Sequence, residues 1–226
     1  MHPLRLRPHV FLCTTPQGLV FMDLKRNKYL GINSIDAHKI LAMKSGESFA
    51  PDATAIIDRL KALELLSTLP EAGKPFESTT IEPARASALD PWPATRPKVR
   101  VTHILKFAIA LTRVLLLQGT RSLEYQVMAI RNRSQKRLGN QTSPDTCREL
   151  LHVFRYVRTL FYTVEDRCLF NSMVLLEFLY LNGLSATWVF GVKNSPFLAH
   201  CWVQSDGIVL NGLIEEVAQF TPIMAA

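Results

Sequence analysis

Residues 165–212 read EDRCLFNSMVLLEFLYLNGLSATWVFGVKNSPFLAHCWVQSDGIVLNG, and the rest of the chain is organised around this stretch. The run from Cys168 to Leu181 is apolar nearly all round, which predicts a helix buried as the spine of a domain. Thr163, with Asp166 three residues on, predicts an N-terminal cap, and Asn182-Gly183 a C-terminal stop. LSATWVFGV, FLAHCWVQ and IVLNG then read as three antiparallel strands, the last two joined by a two-residue turn at Asp206-Gly207. A cysteine therefore lies in the first turn of the helix, and His200 sits in the middle strand. The positive end of a helix favours thiolate over thiol, and the thiolate is the nucleophile. A lone helix cysteine usually packs as a small hydrophobe. Together, in this order, the pair points to nucleophilic catalysis with Cys168 as nucleophile and His200 as general base.

The hairpin register bears on a third catalytic group. With Asp206-Gly207 as the turn, Ser205 pairs with Ile208 and Trp202 with Asn211. Strand side chains alternate, so Asn211 falls diagonal to His200 on the same face and is the expected orienter of the imidazole. A one-residue bulge would put Gly212 there instead, leaving the ring without that partner or oriented by Glu215 or Glu216. Cys201 alternates away from His200 and reads as a core thiol, and Trp188 and Trp202 read as core aromatics. The same alternation argues against a zinc site built from Cys168, His200 and Cys201. No metal or cofactor is expected, and no phosphate-cradling loop is visible.

The chain has 226 residues, 48% of them hydrophobic, enough for one large domain or two small ones. Cys13, Cys147, Cys168 and Cys201 show no CxxC spacing, which suits a reducing cytosol better than a disulfide framework. MHPLRLRPHVF lacks the apolar core of a signal peptide. The most apolar window, Ile104 to Leu117, is short for a bilayer and carries Lys106 and Arg113, so it reads as a buried helix and no membrane partner is expected. The net charge of +7 is concentrated in residues 71–147, with 12 basic and 6 acidic side chains. Its densest part, RNRSQKR at 131–137, lacks interleaved aromatics and reads as a solvated helix end, so nucleic acid is not expected as a partner.

The predicted fold class is α+β, in three parts. Residues 1–70 form a small winged-helix-like domain of three strands plus helices: HVFLCTT, LVFMDL and KYLGIN, then helices capped by Ser34 and by Asp52 or Thr54. Such a unit is also compatible with a dimerisation or DNA-binding wing. Residues 71–98 carry prolines too densely for regular structure and read as a semi-rigid linker, with Trp92 as an anchor. Residues 99–226 hold three further helix-length segments and then the helix-plus-antiparallel-sheet region, the layout of transglutaminase-like and papain-like thiol enzymes. His103 and His152, within those segments, read as structural or exposed.

Two resemblances follow from these motifs. GLVFMDLKRNKYLGINSIDAHKIL, at residues 18–41, resembles the PqqD-like recognition element of systems that modify ribosomally made peptides. The resemblance implies that a leader peptide adds as a strand along Lys28, Tyr29, Leu30, Gly31 and Ile32. Arg59 and Leu63 would supply side-chain pockets, and an exposed strand edge offers the backbone groups for such pairing. The second resemblance rests on Cys168, Leu169, Ser172, Gly191-Val192, Pro196-Phe197, Ala199-His200, Trp202-Val203, Asn211 and Phe220-Thr221-Pro222-Ile223. This set resembles the transglutaminase-like leader peptidases of lasso peptide biosynthesis, the B proteins, here in the fused form with recognition domain and protease in one chain. It implies a bacterial cytoplasmic cysteine peptidase that frees core from leader, with an ATP-dependent, asparagine-synthetase-like cyclase as partner. The family's aspartate would fall at Gly212, a departure that leaves the orienter of His200 open. Another thiol acyl-transfer enzyme (a transglutaminase or amidase) and a non-catalytic precursor-delivery protein are the rival readings.

Overall fold

A computed structural model describes residues 4–45, 51–67, 69, 73–89, 95–135, 144–163 and 167–226. Asp166, Trp92 and the Lys136-Arg137 end of the basic run lie outside the described residues. The chain is mixed α+β, and its contacts divide it into two units.

The first unit comprises residues 1–80 with 192–198 and 221–224. Strands β1 (Arg5–Leu6), β2 (Val10–Thr15), β3 (Gly18–Asp23) and β4 (Lys28–Asn33) lead into helices α1 (Ser34–Ser45) and α2 (Pro51–Ala62), followed by β5 (Lys74–Pro75). β2, β3 and β4 form an antiparallel meander with β3 in the middle, Phe21 facing Leu12 on one side and Leu30 on the other. The β3–β4 turn is fixed by the buried Asp23, whose carboxylate accepts the backbone N–H of Arg26 and its Nη1, each at 2.9 Å. Asn33, rather than Ser34, caps α1: its Oδ1 accepts the Asp36 N–H at 2.9 Å. Asn33 is the residue just before the first helical one, where a side-chain oxygen reaches the third helical N–H. Asp52 and Thr54 lie inside α2, which begins at Pro51. Leu19, Phe21, Ile40, Ile57 and Leu60 form the core of the unit. Also within it, Asn194 Nδ2 donates to Thr15 Oγ1 at 2.8 Å, and the Phe197 ring lies 5.6 Å from that of Tyr29.

The second unit comprises residues 81–191, 199–220 and 225–226. It contains β6 (Ala86–Ser87), α3 (Val101–Thr120), α4 (Leu123–Gln135), α5 (Pro144–Arg158) and α6 (Cys168–Leu181). Next in the chain come β7 (Thr187–Asn194) and β8 (Phe197–Ser205), of which residues 192–194 and 197–198 count with the first unit. Then follow β9 (Ile208–Val209), the short α7 (Ile214–Val217) and β10 (Thr221–Ala225), which counts with the first unit except for Ala225. The sheet order is β10-β7-β8-β9-β6. Both β5 and β6 fall in the stretch expected to be an irregular linker, and β6 runs parallel to β9.

As its composition predicts, α6 is buried from Phe170 to Leu179. It begins at Cys168, with Arg167 in the N-cap position and no side-chain cap, so Thr163 does not cap it. At its other end Gly183 takes φ +88°, Gly183 N–H bonds to Tyr180 O and Leu184 N–H to Leu179 O, each at 3.0 Å. That pair of bonds is a Schellman stop and fulfils the expectation for Asn182-Gly183. Inside this apolar helix Glu177, 2% exposed, accepts from Arg113 of α3 and Arg133 of α4, which ties both helices to the spine. α3 departs from the buried helix predicted for it. Phe107, Ala110 and Val114 face the core, while Val101, Ile104, Leu105, Ile109, Leu115 and Leu116 are exposed. An apolar window does not reveal that only one side of a helix has a neighbour. By length and composition α3 is the one helix among the described residues apolar enough to cross a membrane. β10 carries no local strand signal, since TPIMA is short, contains proline and does not alternate.

Candidate active site

Cys168 is the first residue of α6, so its N–H is among those a helix start leaves without an intrahelical partner. Its half-buried sulfur meets β8 at three points: the Cys201 thiol, the His200 ring and the Cys201 backbone N–H. The Cys201 thiol contributes most, burial opposes it, and the His200 ring and Cys201 N–H add to the lowering. Together they bring the Cys168 thiol from 9.0 down to about 4. Cys201 moves the other way, because it donates to Cys168 and is buried. The arrangement is a thiolate held by donors beside an imidazole, the first requirement of a cysteine nucleophile.

His200 is half-buried and held among rings. Its ring centroid lies 6.2 Å from that of Trp202, with 19° between the planes, and 5.2 Å from that of Phe220. Those rings close up against residue 191 because it is glycine: a Cβ there would stand 2.8 Å from the Trp202 ring and 3.0 Å from Phe220 Cβ. Among the described residues no hydrogen bond joins His200 to a carboxylate or side-chain amide.

Ser205 pairs with Ile208 as expected, and Asp206 (φ +50°) and Gly207 (φ +75°) form the two-residue turn. The regular ladder ends at Gln204–Val209, and the Asn211 side chain takes over from it. Asn211 Oδ1 accepts the Val203 N–H at 2.8 Å, and its Nδ2 donates to Ser172 Oγ at 2.9 Å. Both amide atoms are thus engaged with β8 and α6. Gly212 is buried and its carbonyl accepts the Ser87 hydroxyl at 2.8 Å, while Glu216 accepts the Leu213 N–H and Glu215 is exposed.

A family model described as the transglutaminase-like superfamily matches residues 108–225, just over half of the chain, a span that includes Cys168, His200 and Asn211. The chain belongs to the transglutaminase-like superfamily. Members of that superfamily are typically thiol-dependent enzymes. No curated protein and no solved structure matches the chain.

The transglutaminase-like match leaves out the meander and α1–α2, where the expected peptide-binding residues lie. Lys28 and Gly31 are exposed on β4, an edge strand, with Tyr29, Leu30 and Ile32 half-buried beside them. Arg59 and Leu63 are exposed on α2 and just beyond it. His103 accepts the Arg100 N–H through Nδ1 at 3.3 Å, and burial lowers its pKa. Among the described residues no group of three His, Cys, Asp or Glu side chains is arranged to hold a metal ion.

Sequence reasoning missed Cys201. Alternation sends neighbouring strand side chains to opposite faces, yet the Cys168 sulfur meets the Cys201 thiol, the His200 ring and the Cys201 backbone N–H together.

Proposed function

We propose that the chain is a cysteine peptidase that binds the leader of a ribosomally made lasso precursor and cuts leader from core. The observation that supports this best is the depressed Cys168 thiol in contact with His200 at the start of α6. The Cys168 thiolate adds to the carbonyl of the leader–core junction, and the Cys168 N–H stabilises the oxyanion. The C–N bond breaks as His200 delivers a proton to the leaving amine of the core. Water, deprotonated by His200, then hydrolyses the leader thioester and restores the thiol. In this reading the amino-terminal unit is a winged-helix-like recognition element. The leader pairs along Lys28–Ile32 of β4, whose outer edge and exposed side chains suit strand addition, with Arg59 and Leu63 alongside. The freed core amine passes to an ATP-dependent cyclase in the bacterial cytoplasm.

Superfamily membership fits a transglutaminase or amidase as well, since all proceed through a thioester. One experiment separates them. The purified chain is incubated with a synthetic leader–core peptide, with and without a primary amine, and followed by mass spectrometry. Cleavage into leader and core, lost in Cys168→Ala, is expected. Amine incorporation without cleavage supports the acyl-transfer reading. No reaction, with leader binding equal in parent and Cys168→Ala, supports a delivery protein.

A further inference from the structure

A cavity of about 220 Å³ lies in the second unit between α5, the first half of α6 and residues 210–216. Arg155 and Arg158 of α5 and Asn171 of α6 line it, with Phe154, Leu210 and Leu213 as apolar wall. Asn171 is one helical turn beyond Cys168.

The arginine at 158 is under-satisfied. Among the described residues its Nε is buried without an acceptor, and its guanidinium reaches one oxygen, Asn171 Oδ1, at 3.5 Å. That oxygen also accepts the Tyr162 hydroxyl at 3.3 Å. Burial pulls the Arg158 pKa down, the expected response of a cation whose charge is incompletely offset. Glu216 lines the same cavity but makes no ion pair with Arg158 among the described residues. Among the described residues the Asn171 amide nitrogen, on the same cavity, makes no hydrogen bond. Buried polar groups are nearly always satisfied, and among the described residues Arg158 and Asn171 have donors left over.

We propose that this cavity is a carboxylate-binding pocket that takes an Asp or Glu side chain of the peptide on which Cys168 acts, held by Arg158 and Asn171. A guanidinium fork beside an amide donor matches two carboxylate oxygens. The apolar wall suits the methylene stem of such a side chain and disfavours phosphate, which is polar all round. The volume is several times that of a carboxylate group and leaves room for the stem. The peptide assignment rests on the peptidase reading; the carboxylate chemistry does not.

The test therefore has two arms. In the first, full-length protein labelled with ¹⁵N-arginine is titrated with N-acetylglutamate α-amide, the matching glutamine derivative and inorganic phosphate. The Arg158 Nε–H resonance, identified by its loss in Arg158→Lys, is expected to shift with the glutamate compound alone. No shift with that compound, or an equal shift with the glutamine derivative or phosphate, overturns the pocket. In the second, peptides with single Glu or Gln residues at each position around the cut are compared. One Glu→Gln pair is expected to differ roughly tenfold to a hundredfold in kcat/KM, a difference that Arg158→Gln abolishes. Equal cutting of every pair overturns the pocket as a substrate subsite. If no peptide is cut, the peptidase reading fails and the first arm still decides the carboxylate site.

Discussion

The Asn211 side-chain amide donates to the Ser172 hydroxyl at 2.9 Å, one turn of α6 beyond Cys168. Its oxygen meanwhile accepts from Val203, three residues beyond His200 on β8. One side chain thus ties the helix that carries Cys168 to the strand that carries His200. Replacing Asn211 by alanine removes both bonds and is expected to cost about 1–3 kcal/mol, or roughly 2–4 °C of Tm for each kcal/mol. Turnover should fall with it, while the pH–rate profile keeps its shape, because the imidazole keeps its own contacts. A profile whose acid limb moves in Asn211→Ala would instead make Asn211 the direct partner of His200.

The thiol at 168 should be reactive far below the ordinary range. With the pKa brought to about 4, the thiolate is present above that value and is lost as pH falls through it. Iodoacetamide alkylation of Cys168, read by peptide mass spectrometry, should therefore be nearly flat from pH 6 to 8 and fall only near pH 4. Cys201→Ala removes the largest of the lowering contacts and should move the midpoint upward, towards 9.0. A parent midpoint above pH 8 would contradict the contact between the two cysteines.

Gly191 holds space for the rings that flank His200. A methyl group at 191 would press on Trp202 and Phe220 at 2.8 and 3.0 Å, well inside normal contact. Gly191→Ala should destabilise the chain by about 1–3 kcal/mol through overpacking. It should also lower activity at least tenfold, since the ring stack that sets the imidazole plane has to shift. Thermal unfolding and kcat/KM measure the two effects. Unchanged kcat/KM would show that the stack has no part in placing His200.

Much of this architecture was legible because local signals and burial agreed. The apolar run of α6, the Asn182-Gly183 stop, the Asp206-Gly207 turn and the three strands of the first unit each follow from a short-range rule the fold obeys. The sequence pattern also placed Cys168 and His200 together. What it missed depends on tertiary context. Whether α3 is covered on one side or two is set by what lies beside it, not by its own residues. Asn33 and Ser34 are both good caps, and only the exact helix start selects between them. The Cys168–Cys201 contact depends on the height at which a helix end meets a strand, which alternation does not encode.

The turn after β3 makes the amino-terminal unit sensitive to acid. The Asp23 side chain is 5% exposed, and burial alone would raise its pKa. The side-chain and backbone hydrogen bonds from Arg26, with the nearby His9, outweigh burial and bring it below 3.8. A carboxylate lowered on folding contributes stability above its unfolded value, and that contribution is lost as pH falls through the folded one. Asp23→Asn should therefore be less stable than the parent by about 1–3 kcal/mol at pH 7. The gap should begin to narrow as pH drops below about 4, where the carboxylate of the unfolded chain takes up a proton, and close as the folded carboxylate follows at lower pH. Urea unfolding of both proteins, followed by far-ultraviolet circular dichroism from pH 7 to pH 2.5, measures the gap. A difference that stays constant across that range would mean that Asp23 supports the turn by shape and not by charge.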